Sequence, residues 1–481
     1  MDALTTPPEV PAEAPAAPQP NPQAVRRGDL TSGPIRRTLI LFALPTLLGN
    51  VLQSLNASIN TVWIGQLLGE AALAATTNSN IVMFLVFAAV FGLSMATTVR
   101  VGQHFGARNL DAARRSFGTG IGLCLIVSLV VAVLGWLGAP QLLALMKVPE
   151  ASGALALTYL RVIFLIIPGM TLTTMISMGM RGSGDARTPL YFQILAAVLD
   201  VVFNPLLIAG IGPFPKLGIA GAAIATAVAT LTGLAGMIGW IYWKDLPLRL
   251  RGAELRYLIP AREELRFIVG KGLPMGAQML VISGAGLIML GLVNREGLST
   301  TAAYGALLQI WNYIQMPSLA IGAAVSAMVA QHIGAGREDR VDRIGIDGAV
   351  SNLIMTGVLI ALLLAFDEPA LRLFLGDGSA SVAMARHIQW LSIWSFLPFG
   401  VTIVLFGTLR AYGVVLTPIL VLLGSMYAAR LGFYWLAYPA LGTDALWLSF
   451  NVGSVASMAL TLLAYRTGAW RVHMRERIVA S

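Results

Sequence analysis

Apolar residues along this chain come in long uninterrupted runs, not in the alternation of strands or the narrow stripes of soluble helices. Twelve such runs can be drawn, each near the roughly 20 residues that an α-helix needs to cross a hydrocarbon core. In the first half they cover roughly 38–64, 72–99, 117–138, 155–179, 188–210 and 217–243. In the second half they cover roughly 267–293, 300–332, 344–366, 384–408, 416–439 and 443–465. The runs are expected to be helical, because backbone facing lipid must satisfy its own hydrogen bonds. Their length and lack of strict alternation exclude a porin-like barrel.

The two sets of six are copies. Pro45 in Ala43-Leu44-Pro45 returns as Pro274 in Gly272-Leu273-Pro274, an offset of 229. Gln103-His104-Phe105-Gly106-Ala107 returns as Gln331-His332-Ile333-Gly334-Ala335, an offset of 228. Arg181-Gly182-Ser183-Gly184, followed by Thr188-Pro189, returns as Arg410-Ala411-Tyr412-Gly413 with Thr417-Pro418, again at 229. Three anchors in one order argue for duplication, the ground plan of transporters that place a substrate path between related halves.

Composition agrees with membrane embedding: 57% hydrophobic, 11% charged and a mean hydropathy of +0.76, against about a quarter charged in soluble domains. The net charge of +9 does not indicate nucleic acid, because the basic residues sit in loops between apolar runs. With the N-terminus inside, the cytoplasmic segments collect 25 Lys and Arg and the outer loops 5. That bias places both termini in the cytoplasm of a multi-pass plasma (inner) membrane protein. Six spans per copy is an even number, so the repeat is parallel. The expected fold is all-α integral membrane, with 12 transmembrane helices in two pseudo-symmetric six-helix bundles. The expected division is a disordered cytoplasmic Pro/Ala-rich tail (1–34), an N-lobe (35–243), a cytoplasmic linker (244–266), a C-lobe (267–466) and a cytoplasmic C-terminal tail (467–481). Cys124 is the single cysteine and lies in an apolar run, which excludes an internal disulfide and disfavours a metal site.

The stretch from Arg36 through Pro45 to Val62-Trp63-Ile64-Gly65, then Gly69 and Ala71-Ala72-Leu73-Ala74-Ala75, resembles the opening of the multidrug and toxic compound extrusion (MATE) transporters. So do Gln103 to Arg108, Arg181 to Ala186, and Asn204-Pro205-Leu206 followed by Gly218 to Ala223; the resemblance spans about 36–466. It implies the MOP flippase superfamily, a central cavity between two bundles, and cation-coupled export of amphipathic, often cationic compounds. Pro45 and a polar pair four residues apart on the fifth helix resemble its DinF-like branch. The chain departs from that branch in two places. Asn60 stands where the first helix usually carries an acid, and the fifth helix reads Asp200 then Asn204-Pro205, the reverse of Asn then Asp. The NorM-like acids of the seventh and tenth helices are absent, and the seventh offers Gln278.

Asp200 is the carboxylate placed deep in a span, about 18 Å from the start of its run. A charged Asp there costs about 2.5–3.5 kcal/mol on insertion scales, so it is expected to face a cavity and to take up the coupling ion, a proton first and sodium second. A static polar contact between helices is the other reading. Asn204 lies one turn away on the same face. Asn60 is a third candidate in the cation-coupling set if Pro45 acts as a hinge; a plain helix-end Asn is the alternative. Arg161 and Arg430 are the intramembrane cations, and Arg430 falls one residue from the repeat of Asp200. Gln278, Met175, Met279, Trp311, Tyr313 and Arg430 are the candidates for a substrate cavity, since thioethers and aromatics suit varied apolar ligands; ordinary packing is the competing reading for each. His104 and His332 belong to the repeated turns and are expected to cap both halves alike.

The rival functions are a lipid-linked sugar flippase of the same superfamily, a membrane-embedded enzyme, and a non-transporting receptor or scaffold. Twelve spans with two intramembrane Arg speak against the first. No zinc-protease motif, nucleophile turn or phosphate loop supports the second, so no enzyme activity and no cofactor or metal are expected beyond the coupling ion. The expected partners are small-molecule drugs or toxic compounds and membrane lipid, with no nucleic acid and a functional monomer.

Overall fold

The computed structural model describes residues 28–146, 150–375, 380–468 and 470–471. The first six spans are α1 (Ile35–Leu68), α2 (Glu70–Gly106), α3 (Leu110–Leu145), α4 (Glu150–Gly182), α5 (Arg187–Ala209) and α6 (Ile219–Trp243). A connector with a 3₁₀ turn, Gly252–Leu258, leads to α7 (Arg262–Val293), α8 (Leu298–Gly334) and α9 (Val341–Ala365). A short helix, α10 (Asp367–Leu375), comes next; α11 (Ala380–Ser392) and α12 (Phe396–Ala411) form the tenth span across a 3₁₀ turn at Ile393–Ser395. The eleventh span is α13 (Leu416–Leu422), a π-helical stretch (Leu423–Ala429) and α14 (Arg430–Leu441), and the twelfth is α15 (Asp444–Arg466). Among the described residues, twelve helices are long and apolar enough to cross a membrane. At 34 residues α1 is about 51 Å long, well beyond a 30 Å core. The first four helices overrun their apolar runs at both ends, and α10 is an element that the pattern of runs did not contain.

The duplicated strings fold into duplicated turns. At the end of α2 the Asn109 N–H donates to the His104 carbonyl, and at the end of α8 the Arg337 N–H donates to the His332 carbonyl. At the ends of α4 and α12 the Asp185 and Val414 N–H groups do the same to Met180 and Leu409. Each turn needs one left-handed residue: Arg108 (φ 59°), Gly336 (69°), Gly184 (84°) and Gly413 (71°). The capping shared by the two histidines is thus made by backbone. Their side chains differ: His332 is fully buried with Nδ1 2.8 Å from the Met328 carbonyl of its own helix, whereas His104 reaches the other bundle.

The described chain ends lie together at the end of the bundles where Lys and Arg collect. Residues 1–27 and 472–481 of the expected tails lie outside the described residues. The described part of the N-terminal tail is docked, contrary to the expectation of a disordered segment up to 34. Leu30 is buried and its N–H donates to Gln331 Oε1 at 3.0 Å, and Gln331 Nε2 in turn donates to the carbonyls of Gly28 and Gly182. Trp470 stacks edge-on against Tyr412 at 4.7 Å between ring centres, and Arg471 pairs with Asp342. The connector is packed too: Tyr257 donates to Asp111 at 2.5 Å and Arg114 donates to the Pro247 carbonyl at 2.8 Å. It ends sooner than expected, since α7 begins at Arg262.

The two bundles meet along their basic halves. One buried apolar cluster joins Leu39, Phe42, Ala43 and Val99 of the first bundle to Ile321, Val325, Met328, Val404 and Phe406 of the second. Lipid removes the hydrophobic drive for helix association, so such contacts depend on close packing of small residues. A methyl on Gly92 of α2 would lie 2.2 Å from the Gly272 oxygen and 2.4 Å from the Gly276 nitrogen of α7. One on Gly106 would lie 2.0 Å from the Gln331 oxygen, and one on Gly334 1.8 Å from the Gln103 oxygen. At the opposite end the buried clusters are private to each bundle: Ile64, Ala72, Leu160, Phe164 and Ile219 in the first, Met289, Tyr304, Trp311, Ile388 and Trp447 in the second.

Candidate cation site

Asp200 is 2% exposed and Asn204 1% exposed, both on α5. The Asp200 carboxylate accepts at Oδ2 from the side-chain amides of Asn56 (2.8 Å) and Asn60 (2.6 Å), both on α1. It accepts at Oδ1 from Asn204 Nδ2 and from the Thr226 hydroxyl of α6, both at 3.1 Å. Asn204 Nδ2 also lies 3.0 Å from Asn60 Oδ1, so the amides are linked to each other as well as to the acid. The Tyr159 hydroxyl of α4 is within electrostatic reach. Hydrogen bonds to a charged group are each worth about 1.5–3 kcal/mol, so four of them offset the insertion cost of an Asp. All four of these partners are neutral. The Asn56 and Asn204 Oδ1 atoms are buried without a partner.

Local structure explains the meeting. Asn56 and Asn60 are one turn apart on α1, and Asp200 and Asn204 one turn apart on α5, so each pair shares a helix face. Counting 1.5 Å per residue, Asn60 lies about 12 Å and Asp200 about 14 Å from the end of its helix that faces away from the basic loops. The site therefore stands beyond the region where the bundles touch. Asn60 is not a helix-end residue, because α1 continues two turns further to Leu68. Pro45 lies inside α1, below this site.

Other candidates fall elsewhere. Met175 is fully buried in the first bundle, against Gly120 and near Leu93, Cys124 and Ile268. Trp311 is buried among Tyr304, Phe396 and Phe450. Both side chains are enclosed by neighbouring rings and helices, and the Trp311 Nε1 is buried without a hydrogen-bond partner. Gln278 is also buried and committed: its Oε1 accepts from Arg410 at 2.9 Å and its Nε2 donates to the Val415 carbonyl at 3.3 Å, bracing α7 on α12. Met279 and Tyr313 are half-buried. Arg161 stacks on Trp136 at 4.9 Å, and Arg430 on Phe450 at 3.5 Å. Among the described residues no group of three or more His, Cys, Asp or Glu is placed to hold a metal ion.

Two groups of residues escaped the sequence. Asn56 and Thr226 complete the Asp200 site; the four-residue step from Asn56 to Asn60 was a usable signal, while a Thr in an Ala-rich helix gave none. The second is an ion pair between bundles. Glu264 of α7, 5% exposed, is gripped by Arg100 of α2 through Nε and Nη2, accepts from Ser116 Oγ of α3 at 2.8 Å, and has His104 Nε2 at 3.5 Å.

The MatE family pattern matches residues 45–206 and 274–436, one match in each bundle. The chain is 31% identical over 445 residues to the probable multidrug resistance protein YoeA of Bacillus subtilis, covering 92% of this chain and 96% of that one. It is 32% identical over 447 residues to the probable multidrug resistance protein YpnP of the same organism, at 92% and 97% coverage. The solved structure of a MOP superfamily transporter from Pyrococcus furiosus superposes with a TM-score of 0.85 at 20% identity, covering 94% of this chain and 99% of that one. Two matched halves and end-to-end similarity to relatives above 30% identity make the chain a member of the MatE family of membrane transporters.

Proposed function

We propose that this protein is a secondary active multidrug exporter, exchanging an inward-moving cation for amphipathic, often cationic compounds by alternating access. The observation that carries this reading is the Asp200 carboxylate, buried in one bundle and held only by neutral donors. Such a group attracts a cation and changes its hydrogen bonding when it takes one. An ionised carboxylate only accepts, and all of its present neighbours donate. A proton on Asp200 adds a donor, so one neighbour must turn away. Asn56 is able to respond, since its unpartnered Oδ1 accepts the new O–H after the amide flips. Because Asn56 and Asn60 both belong to α1, the change bears on that helix, and Pro45 gives it a place to bend. The Lys and Arg bias assigns the basic end and both termini to the cytoplasm of the inner membrane. On that assignment the bundles are shut on the cytoplasmic side, the cation site is reached from outside, and one chain forms a complete path.

Sodium is a second reading, favoured by the oxygen-rich surroundings: two carboxylate oxygens, the Thr226 hydroxyl, and the unpartnered Asn56 and Asn204 Oδ1 atoms. Dye efflux from proteoliposomes under separately imposed proton and sodium gradients tests both. Export should follow one gradient and lose that dependence in Asp200→Asn. Export indifferent to both gradients would remove the antiport reading.

A further inference from the structure

The second bundle holds a charge that the cation cycle does not use. Arg430 is 7% exposed, and its Nε and Nη2 are buried without a hydrogen-bond partner. The Phe450 ring covers the face of the guanidinium at 3.5 Å and offers nothing to its in-plane N–H edge. Trp311, whose ring centre is 5.6 Å from that of Phe450, also has a buried Nε1 without a partner. Tyr304 lies 6.4 Å from Phe450 and 6.0 Å from Trp311 between ring centres. Gly453 leaves space for the Arg430 stem, since a methyl there would approach its Cβ to 3.0 Å. The unpartnered groups are all donors, and the walls around them are aromatic. Arg430 also follows directly on the π-helical stretch Leu423–Ala429, a distortion often found at functional sites.

We propose that Arg430, with the Trp311 N–H, forms an oxyanion-binding site in the C-terminal bundle that takes the carboxylate, sulfonate or phosphate of the transported solute. The Arg430 guanidinium and the Trp311 N–H only donate, as an anion requires, and the guanidinium edge matches a carboxylate with two parallel bonds. It lies about 16 Å from the Leu441 end of α14, too deep for a lipid headgroup, so the solute is the source of the anion. The depth is close to that of Asp200 in the other bundle, and the two charges are opposite. Access comes from the π-helical stretch: returning one residue to α-helical winding turns Arg430 by about 100° relative to α13. This deepens the export reading, since it narrows the exported compounds to those bearing an anionic group, zwitterions included.

The test uses two dyes with one cationic xanthene body, rhodamine B with its free carboxylate and the ethyl ester of the same dye. Binding to the purified full-length protein in detergent is read by fluorescence anisotropy. Wild type should bind the acid about tenfold tighter than the ester. Arg430→Met should erase that preference, and Trp311→Phe, which keeps a ring and loses the N–H, should reduce it. Equal binding of acid and ester by wild type, or a preference retained in folded Arg430→Met, overturns the proposal. If Arg430→Met does not fold, sodium benzoate decides on wild type: displacement of the acid dye alone supports the site, and displacement of neither overturns it. Export is scored separately. An exported ester with no acid preference removes the anion site and leaves export standing; an acid preference with neither dye exported does the reverse.

Discussion

Arg100 holds the Glu264 carboxylate through two guanidinium nitrogens, at 3.2 and 3.3 Å, and the two residues belong to different bundles. The carboxylate also accepts from Ser116, and the Arg100 guanidinium lies over Phe267 at 5.0 Å. These contacts sit at the closed end, and parting the bundles there requires breaking them. Glu264→Gln keeps the shape and removes the charge, at a cost to the closed form of about 2 kcal/mol. Spin labels at the exposed, repeat-related positions Ala107 and Ala335 should then report a longer distance population. An unchanged distribution in folded protein would show that the pair does not hold the bundles together.

The position of the acid is exchangeable within this site. Asn60 Nδ2 and Asp200 Oδ2 are 2.6 Å apart, and Asn204 faces both side chains. Asp200→Asn alone is expected to lose gradient-driven export. Adding Asn60→Asp returns one carboxylate to the same cluster and should restore export to within about tenfold of the parent. Proteoliposome flux measures both, and a double variant as inactive as the single one would limit coupling to the α5 position.

Thr226 acts only through its hydroxyl, 3.1 Å from Asp200 Oδ1. Thr226→Val keeps the shape and deletes the bond. The half-saturating concentration of the driving cation should shift by about two- to tenfold, with maximal export nearly unchanged. A collapse of maximal export with no such shift would assign Thr226 to helix packing.

Gly334 and Gly286 make a matched pair for the bundle contact. A methyl on Gly334 would lie 1.8 Å from the Gln103 oxygen, whereas one on Gly286 meets nothing within 4 Å. Gly334→Ala should destabilise the closed form by about 1–3 kcal/mol, and Gly286→Ala should be neutral or slightly stabilising. Thermal unfolding in detergent reads both, and equal effects would contradict the close approach.

Much of the fold was legible because membrane helices announce themselves by length, and because the repeated strings mark repeated turns. The runs around 38–64 and 188–210 fall within α1 and overlap α5, and Asp200 stood out as a carboxylate in an apolar setting. Less was legible at the ends. Several helices continue past their apolar runs, so hydropathy under-read α2 and α3, and Leu30 and Trp470 dock through single bonds and rings that composition does not reveal. For the cavity candidates the limit was direction: an apolar Met175 or Trp311 reads the same from sequence whether it faces a passage or a neighbour. Glu264 was hidden for a related reason, since an acid at the start of a helix reads as ordinary capping until the other bundle is in place.

The glycines between α2 and its partners α7 and α8 also bear on speed. Surfaces made of bare backbone have no interlocking side chains to unthread, so the bundles can lift apart and settle back without waiting for rotamers to reset. A machine that must reverse itself every turnover is well served by a seam of this kind. Its grip then comes from a handful of polar fasteners such as Gln103 on the Ala411 carbonyl, each of which can be tuned by a single substitution.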